Sequence, residues 1–190
     1  MRILKKLTIL TFCFLMIPGG TLLHAAAPKP DINVYLNNVL QKQSGFISEG
    51  EIYLSAGQMT EQLNALMAVE DSGATVRINK PNVNTVLLDD KGNIFGKAKS
   101  TVSQKFSVLA QVDNLKTEIS DLRITITSPS DVTETIDNQP IKDQKDNFWF
   151  KSAEYSYTFE AKGAYPVRVY LKDTRSKKWS AVSEIQIFAF

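Results

Sequence analysis

Residues 163–171 have the sequence GAYPVRVYL, in which Tyr165, Val167, Val169 and Leu171 occupy every second position. Because successive side chains of a strand point to opposite faces, this alternation predicts a strand with one buried face. Pro166 has no backbone N–H to donate, so we expect it at the start of the strand or at a sheet edge. The stretch therefore predicts that the C-terminal part of the chain is built from strands.

The same period of two recurs through the C-terminal half. The alternating sets are Phe106, Val108, Ala110 and Val112; Leu122, Ile124 and Ile126; Tyr155, Tyr157 and Phe159; Ile185 and Ile187. Turn residues separate them, as in SPS at 128–130 and DNQP at 137–140. Six or seven such strands in about 85 residues predict an all-β sandwich over residues 101–190.

One segment of this half is similar to a known module. Residues 163–169, GAYPVRV, resemble the corner and penultimate strand of bacterial immunoglobulin-like repeats. The resemblance implies that Tyr165 anchors the corner. It also implies that residues 101–190 form an immunoglobulin-like β-sandwich.

The N-terminal half has a mixed pattern. Short strands are predicted at residues 32–36, 51–54, 75–78 and 85–88, with turns at 48–50 and 89–93. Ser55 is the expected cap of a helix of about three turns, whose apolar stripe predicts core positions at Met59, Leu63, Leu66 and Met67. The polar run 97–105, KAKSTVSQK, predicts a linker with a boundary near Ser100. We therefore expect an α+β domain over 28–100 and a mostly β chain overall.

The N-terminal half also resembles a family. INVYLNN (32–38), ISEGEIYLSAGQMTEQLNAL (47–66) and AVEDSGATVRI (68–78) are similar to the strands, helix and hairpin of the copper amine oxidase N-terminal-like, or stalk, domain over residues 32–88. Ser55, Ala56, Gly57 and Asn64 stand where the family usually has a proline and an arginine before the helix and a glycine near its end. The resemblance implies an accessory module without copper or oxidase activity, of the kind found in exported proteins of Gram-positive bacteria.

The first 27 residues predict export. Arg2, Lys5 and Lys6 precede an apolar run over 7–17, and small residues follow at 25–27, which is the order of a secretory signal peptide. The run is shorter than the roughly 20 residues that a membrane-spanning helix needs, so no span is expected in the mature chain. The predicted location is secreted or associated with the cell envelope, in a Gram-positive bacterium if the family resemblance holds.

Removal of residues 1–27 changes the chemistry available to the chain. His24 and Cys13 are the only histidine and cysteine, and without the leader 19 basic residues face 20 acidic ones. A Ser-His-Asp triad, a thiolate nucleophile and a Cys/His zinc site are then excluded. The near-neutral charge gives no support for nucleic-acid binding. We therefore predict a non-catalytic binding or structural module with no cofactor.

Two tryptophans are the candidate binding residues. Trp149, in the run FWF at 148–150, should face away from its neighbours in a strand, and Trp179 follows a basic turn with Arg175, Lys177 and Lys178. The predicted partners are a cell-wall polymer or another exported protein. Two other hypotheses remain: a regulator or inhibitor with an apolar patch around Trp149, and a wall hydrolase using a carboxylate pair drawn from Glu49, Glu51, Glu154 and Glu160.

Overall fold

The computed structural model describes residues 31–36, 38–70, 72–142 and 145–190 and divides the chain into two units, the first ending at Leu54 and the second beginning at Ser55. The predicted signal peptide lies outside the described residues. Over the parts of the chain that are described, the protein is mostly β with a single helix, as the sequence predicts. No helix in these ranges is long and apolar enough to cross a membrane.

The first unit is made of short strands. They are β1 (Asp31–Ile32), β2 (Tyr35–Leu36), β3 (Val39–Leu40), β4 (Gly45–Ser48) and β5 (Glu51–Tyr53). The order β1-β4-β5 forms an antiparallel sheet, and β2 and β3 form a separate hairpin, so the single strand predicted over 32–36 is wrong. The predicted turn at 48–50 is confirmed: Glu49 and Gly50 both have positive φ, as a two-residue hairpin loop requires.

The second unit holds the helix and the long strands. Its elements are α1 (Ala56–Gln62), β6 (Leu66–Val69), β7 (Val76–Asn79), β8 (Asn82–Asp89), β9 (Lys97–Ala98), β10 (Ser103–Asp113), β11 (Ile119–Thr127), β12 (Thr133–Pro140), β13 (Phe148–Lys151), β14 (Tyr155–Thr158), β15 (Gly163–Asp173) and β16 (Trp179–Ala189). One sheet, sheet I, pairs β10 with β8 and also with β13 and β14. Sheet II has the order β12-β11-β15-β16-β9, and β6 and β7 form a hairpin.

The alternation of apolar residues predicted in the long strands identifies the residues of the core. The inward residues of β10, β11 and β15 are at most 1% exposed and form one cluster: Phe106, Val108, Ala110, Val112, Leu122, Ile124, Ile126, Tyr165, Val167, Val169 and Leu171. Each buried aliphatic side chain contributes about 1.5–3 kcal/mol of transfer free energy. Pro166 pairs with β16 only, because the ladder to β11 ends at Val167. It is therefore tolerated near the start of β15, as predicted.

The division of the chain differs from the predicted boundary near Ser100. Strand β8 pairs with β10 along its whole length, and β9 pairs with β16, so residues 82–98 belong to the second unit. The polar run that predicted a linker contains a two-residue edge strand in which buried Ala98 lies between exposed Lys97 and Lys99. Polarity there marks the edge of a sheet, not a boundary between domains.

The helix is shorter than predicted. Ser55 caps it, since its Oγ accepts a hydrogen bond from Gln58 N at 3.4 Å, but α1 has only 7 residues. Asn64 adopts a left-handed conformation (φ 53°) just after the helix, and the chain then continues as a strand. The predicted core stripe is therefore wrong in part: Leu66 is buried, but Leu63 is 46% exposed because the helix ends beneath it.

Candidate functional site

Trp149 lies on the outer face of sheet I. In strand β13 its neighbours Phe148 and Phe150 pack against the core, and the alternation of the strand turns the indole outward, where it is 65% exposed. The predicted division of the three aromatics between two faces is confirmed. In the described part of the chain no aromatic ring or cation lies against the Trp149 ring. Its aromatic face is therefore open to solvent.

Two amide side chains lie on one side of this indole. Gln111 of β10 is directly opposite Trp149 in the ladder, and Asn84 of β8 is opposite Gln111, so the three form a row across the sheet. Strand spacing makes this row about 10 Å wide. Gln111 Nε2 donates to Asp113 Oδ2 at 2.8 Å, which orients the amide. Two amides therefore lie beside the aromatic platform, and the next outward row of the sheet is formed by Lys151, Leu109 and Val86.

Trp179 lies on the outer face of sheet II, where two cations cover it. It pairs with Lys172 of β15, and Arg123 Cζ lies 4.0 Å from the centroid of its ring. Lys172 Nζ lies 5.5 Å from the same centroid and 3.5 Å from Asp121 Oδ2. Hydrogen bonding by Ser120, and then the nearby Lys172 and Arg123, lower the pKa of Asp121 below its usual value. This anion helps to hold the cations over the indole.

The basic residues of the β15–β16 turn are exposed. Arg175, Lys177 and Lys178 all point to solvent, and the turn is held by Asp173, whose Oδ1 accepts hydrogen bonds from the backbone N of Arg175 at 3.1 Å and of Ser176 at 2.6 Å. The turn thus keeps its form without the three basic side chains. It lies beside Trp179 in the chain, but Trp149 is in the other sheet. The structure therefore does not join the two tryptophans in one aromatic strip.

The sequence also singled out the turn at 89–93 and Glu154, and each has partners of its own. The turn at 89–93 forms as predicted: the Asp89 carboxylate accepts hydrogen bonds from Lys91 N and Asn93 N, chiefly the latter, which lowers its pKa. Glu154 forms an ion pair with Lys105 at 3.6 Å. Within the described ranges no group of three or more His, Cys, Asp or Glu residues could hold a metal ion.

Sequence reasoning missed the residues that distinguish the two tryptophans. Arg123 and Gln111 come from strands distant in sequence, and only strand pairing brings them to an indole. The one available signal was that both lie at outward positions of alternating strands. No protein-family model matches this chain, and no curated protein matches it, so its family is not established by comparison.

Proposed function

We propose that this chain is an exported, non-catalytic module that binds glycan of the cell envelope through the outer face of sheet I. The observation that carries the proposal is the exposed and uncovered ring of Trp149. A sugar ring presents a face of C–H groups that stacks on the negative face of an indole, and its hydroxyl groups bond to nearby polar side chains. Gln111 and Asn84 offer such groups in the same row.

We also propose that the second unit is an immunoglobulin-like sandwich. Its support is the strand order, with β8, β10 and β13–β14 in one sheet and β11, β15 and β16 adjacent in the other, which matches the A-B-E and C-F-G arrangement of that fold. The Tyr165 hydroxyl donates to Ala161 O at 2.8 Å and accepts from Ala161 N at 3.0 Å, as in a tyrosine corner. The stalk-like interpretation of residues 32–88 remains a prediction, and this range spans both units.

The surroundings of Trp149 favour a glycan over an apolar protein partner. A regulator or inhibitor would be expected to use a contiguous apolar patch. Across the ladder from Trp149 stand Gln111 and Asn84, and Lys151 is exposed on the same face of β13. Leu109 and Val86 lie in the next row of this face but are half-buried, so the amides and the lysine beside the indole favour a hydroxyl-rich ligand.

Sedimentation with isolated cell walls tests the proposal. The walls are stripped of protein beforehand, so that glycan and its attached polymers are the only ligands. Wild type should sediment, and Trp149→Ala should lose about 30-fold in affinity, the loss of about 2 kcal/mol that is typical of a central aromatic contact. Trp179→Phe is the matched control, because its aromatic ring lies under Arg123 and takes no part in the binding surface.

Two results would contradict glycan binding by this face. One is a wild-type protein that stays in the supernatant at low and moderate salt. The other is a folded Trp149→Ala variant that sediments as wild type does. Gln111→Ala should have an intermediate effect, since loss of one neutral hydrogen bond should weaken binding by about fivefold.

A further inference from the structure

One cavity of the second unit has neither tryptophan in its lining. It has a volume of about 480 Å³ and is lined by the turn after β11, by β14 and by the residues that follow β14. Tyr157, Glu134 and Glu160 contribute its main polar groups. Glu134 was not among the acidic residues that the sequence singled out.

Two walls of this cavity are held in place by the fold. Gly163 has φ 139°, and a Cβ there would lie 3.1 Å from Pro129 Cγ, so the glycine lets the β11–β12 turn pack closely. In another part of the lining the Tyr165 hydroxyl bonds to both backbone groups of Ala161. A preformed cavity binds its ligand without first ordering these segments.

Tyr157 presents an unpaired hydroxyl to the cavity. The residue is 7% exposed and lines the cavity, and within the described parts of the chain its hydroxyl group has no protein hydrogen-bond partner. Burial raises the pKa of Tyr157 to about 12, and the charges of Glu134 and Glu160 add to the shift. The oxygen is in contact with the solvent that fills the cavity, so a ligand there can bond to it.

The charge of the cavity is negative. Neither Glu134 nor Glu160 has a Lys or Arg ion-pair partner in the described ranges, and no Lys or Arg is among the residues that line the cavity. Glu134 Oε2 accepts a hydrogen bond from the Tyr155 hydroxyl at 3.0 Å, which fixes that carboxylate in position. A cation is the ligand that such a lining favours.

We propose that this cavity binds a primary ammonium group carried on a short alkyl chain, such as a lysine side chain. An ammonium group has three N–H donors, and Glu134, Glu160 and the Tyr157 oxygen are three acceptors that can meet it. Pro129, Val132 and Ala161 line the same cavity and can pack against the alkyl chain.

An amide NMR titration of the full mature chain tests this site. The probe is Nα-acetyl-lysine N-methylamide, and the matched neutral probe is Nα-acetyl-norleucine N-methylamide, which has the same chain without the ammonium group. The lysine probe should shift the amide signals of residues 128–132 and 156–161, and the norleucine probe should not. The arginine analogue should bind more weakly, because its planar fork suits a single carboxylate better than three separate acceptors.

Substitutions in the cavity test which side chains contact the lysine probe. Glu134→Gln and Glu160→Gln should each weaken binding about threefold, as expected for exposed ion pairs. Tyr157→Phe should weaken it about fivefold, and it should fold normally because the hydroxyl has no partner to lose. Glu154→Gln is the matched control, since Glu154 pairs with Lys105 and does not line the cavity.

Three results would overturn the proposal. They are the absence of shifts up to about 10 mM lysine probe, where a millimolar site would be nearly saturated; equal shifts with the norleucine probe; and unchanged affinity in the two glutamine variants. Tighter binding of the arginine analogue would overturn the assignment to an ammonium group.

Discussion

The two tryptophans of the second unit occupy equivalent kinds of position and have opposite surroundings. Each lies on the outer face of a sheet, Trp149 opposite Gln111 and Trp179 opposite Lys172. Trp149 has no ring or cation against it within the described residues, whereas Arg123 lies over Trp179 at 4.0 Å. An outward aromatic residue is therefore available to a ligand only when its cross-strand neighbours leave the ring uncovered.

The two tryptophans should differ most in their contribution to the free energy of unfolding. Trp179→Ala should lower the free energy of unfolding by about 2 kcal/mol, because it removes a half-buried ring and leaves Arg123 without its partner. Trp149→Ala should change it by less than about 0.5 kcal/mol, as is usual for an exposed side chain. Urea unfolding followed by far-UV circular dichroism measures both. Equal losses in the two variants would mean that the surroundings do not distinguish them.

The contact between Arg123 and Trp179 should appear as an energetic coupling. In a double-mutant cycle of Arg123→Met and Trp179→Leu, we expect a coupling of about 1 kcal/mol in the free energy of unfolding. The control cycle replaces Arg123→Met with Arg77→Met, because Arg77 forms its ion pair with Glu70. A coupling no larger than that of the control would show that the cation adds nothing to the cover over Trp179.

Substitutions in the basic turn should have the smallest effect on stability and on wall binding. Replacing Arg175, Lys177 and Lys178 together by Gln should change the free energy of unfolding by less than about 0.5 kcal/mol, because Asp173 and not these side chains holds the turn. Wall sedimentation of the triple variant should match wild type at moderate salt. Loss of sedimentation in this variant, with Trp149→Ala still bound, would move the binding surface to the Trp179 side.

The sequence alone determined which side chains face inward in the long strands. Val108, Ile124 and Val169 are buried as their period of two predicts, because the pleat turns alternate residues to opposite faces whatever the partner strand is. The cap at Ser55 and the turn at Glu49 and Gly50 were also predictable, since their hydrogen bonds and φ angles are local. Export was predicted from residues 1–27, which lie outside the described structure.

The contacts of each outward residue depend on how the strands pair. The register of β10 against β13 places Gln111 beside Trp149, and the pairing of β11 with β15 brings Arg123 and Lys172 to the same face as Trp179. Pairing of β8 with β10 moved the unit boundary away from Ser100. These are contacts between residues far apart in the chain, and a period in one strand carries no information about the register of the next.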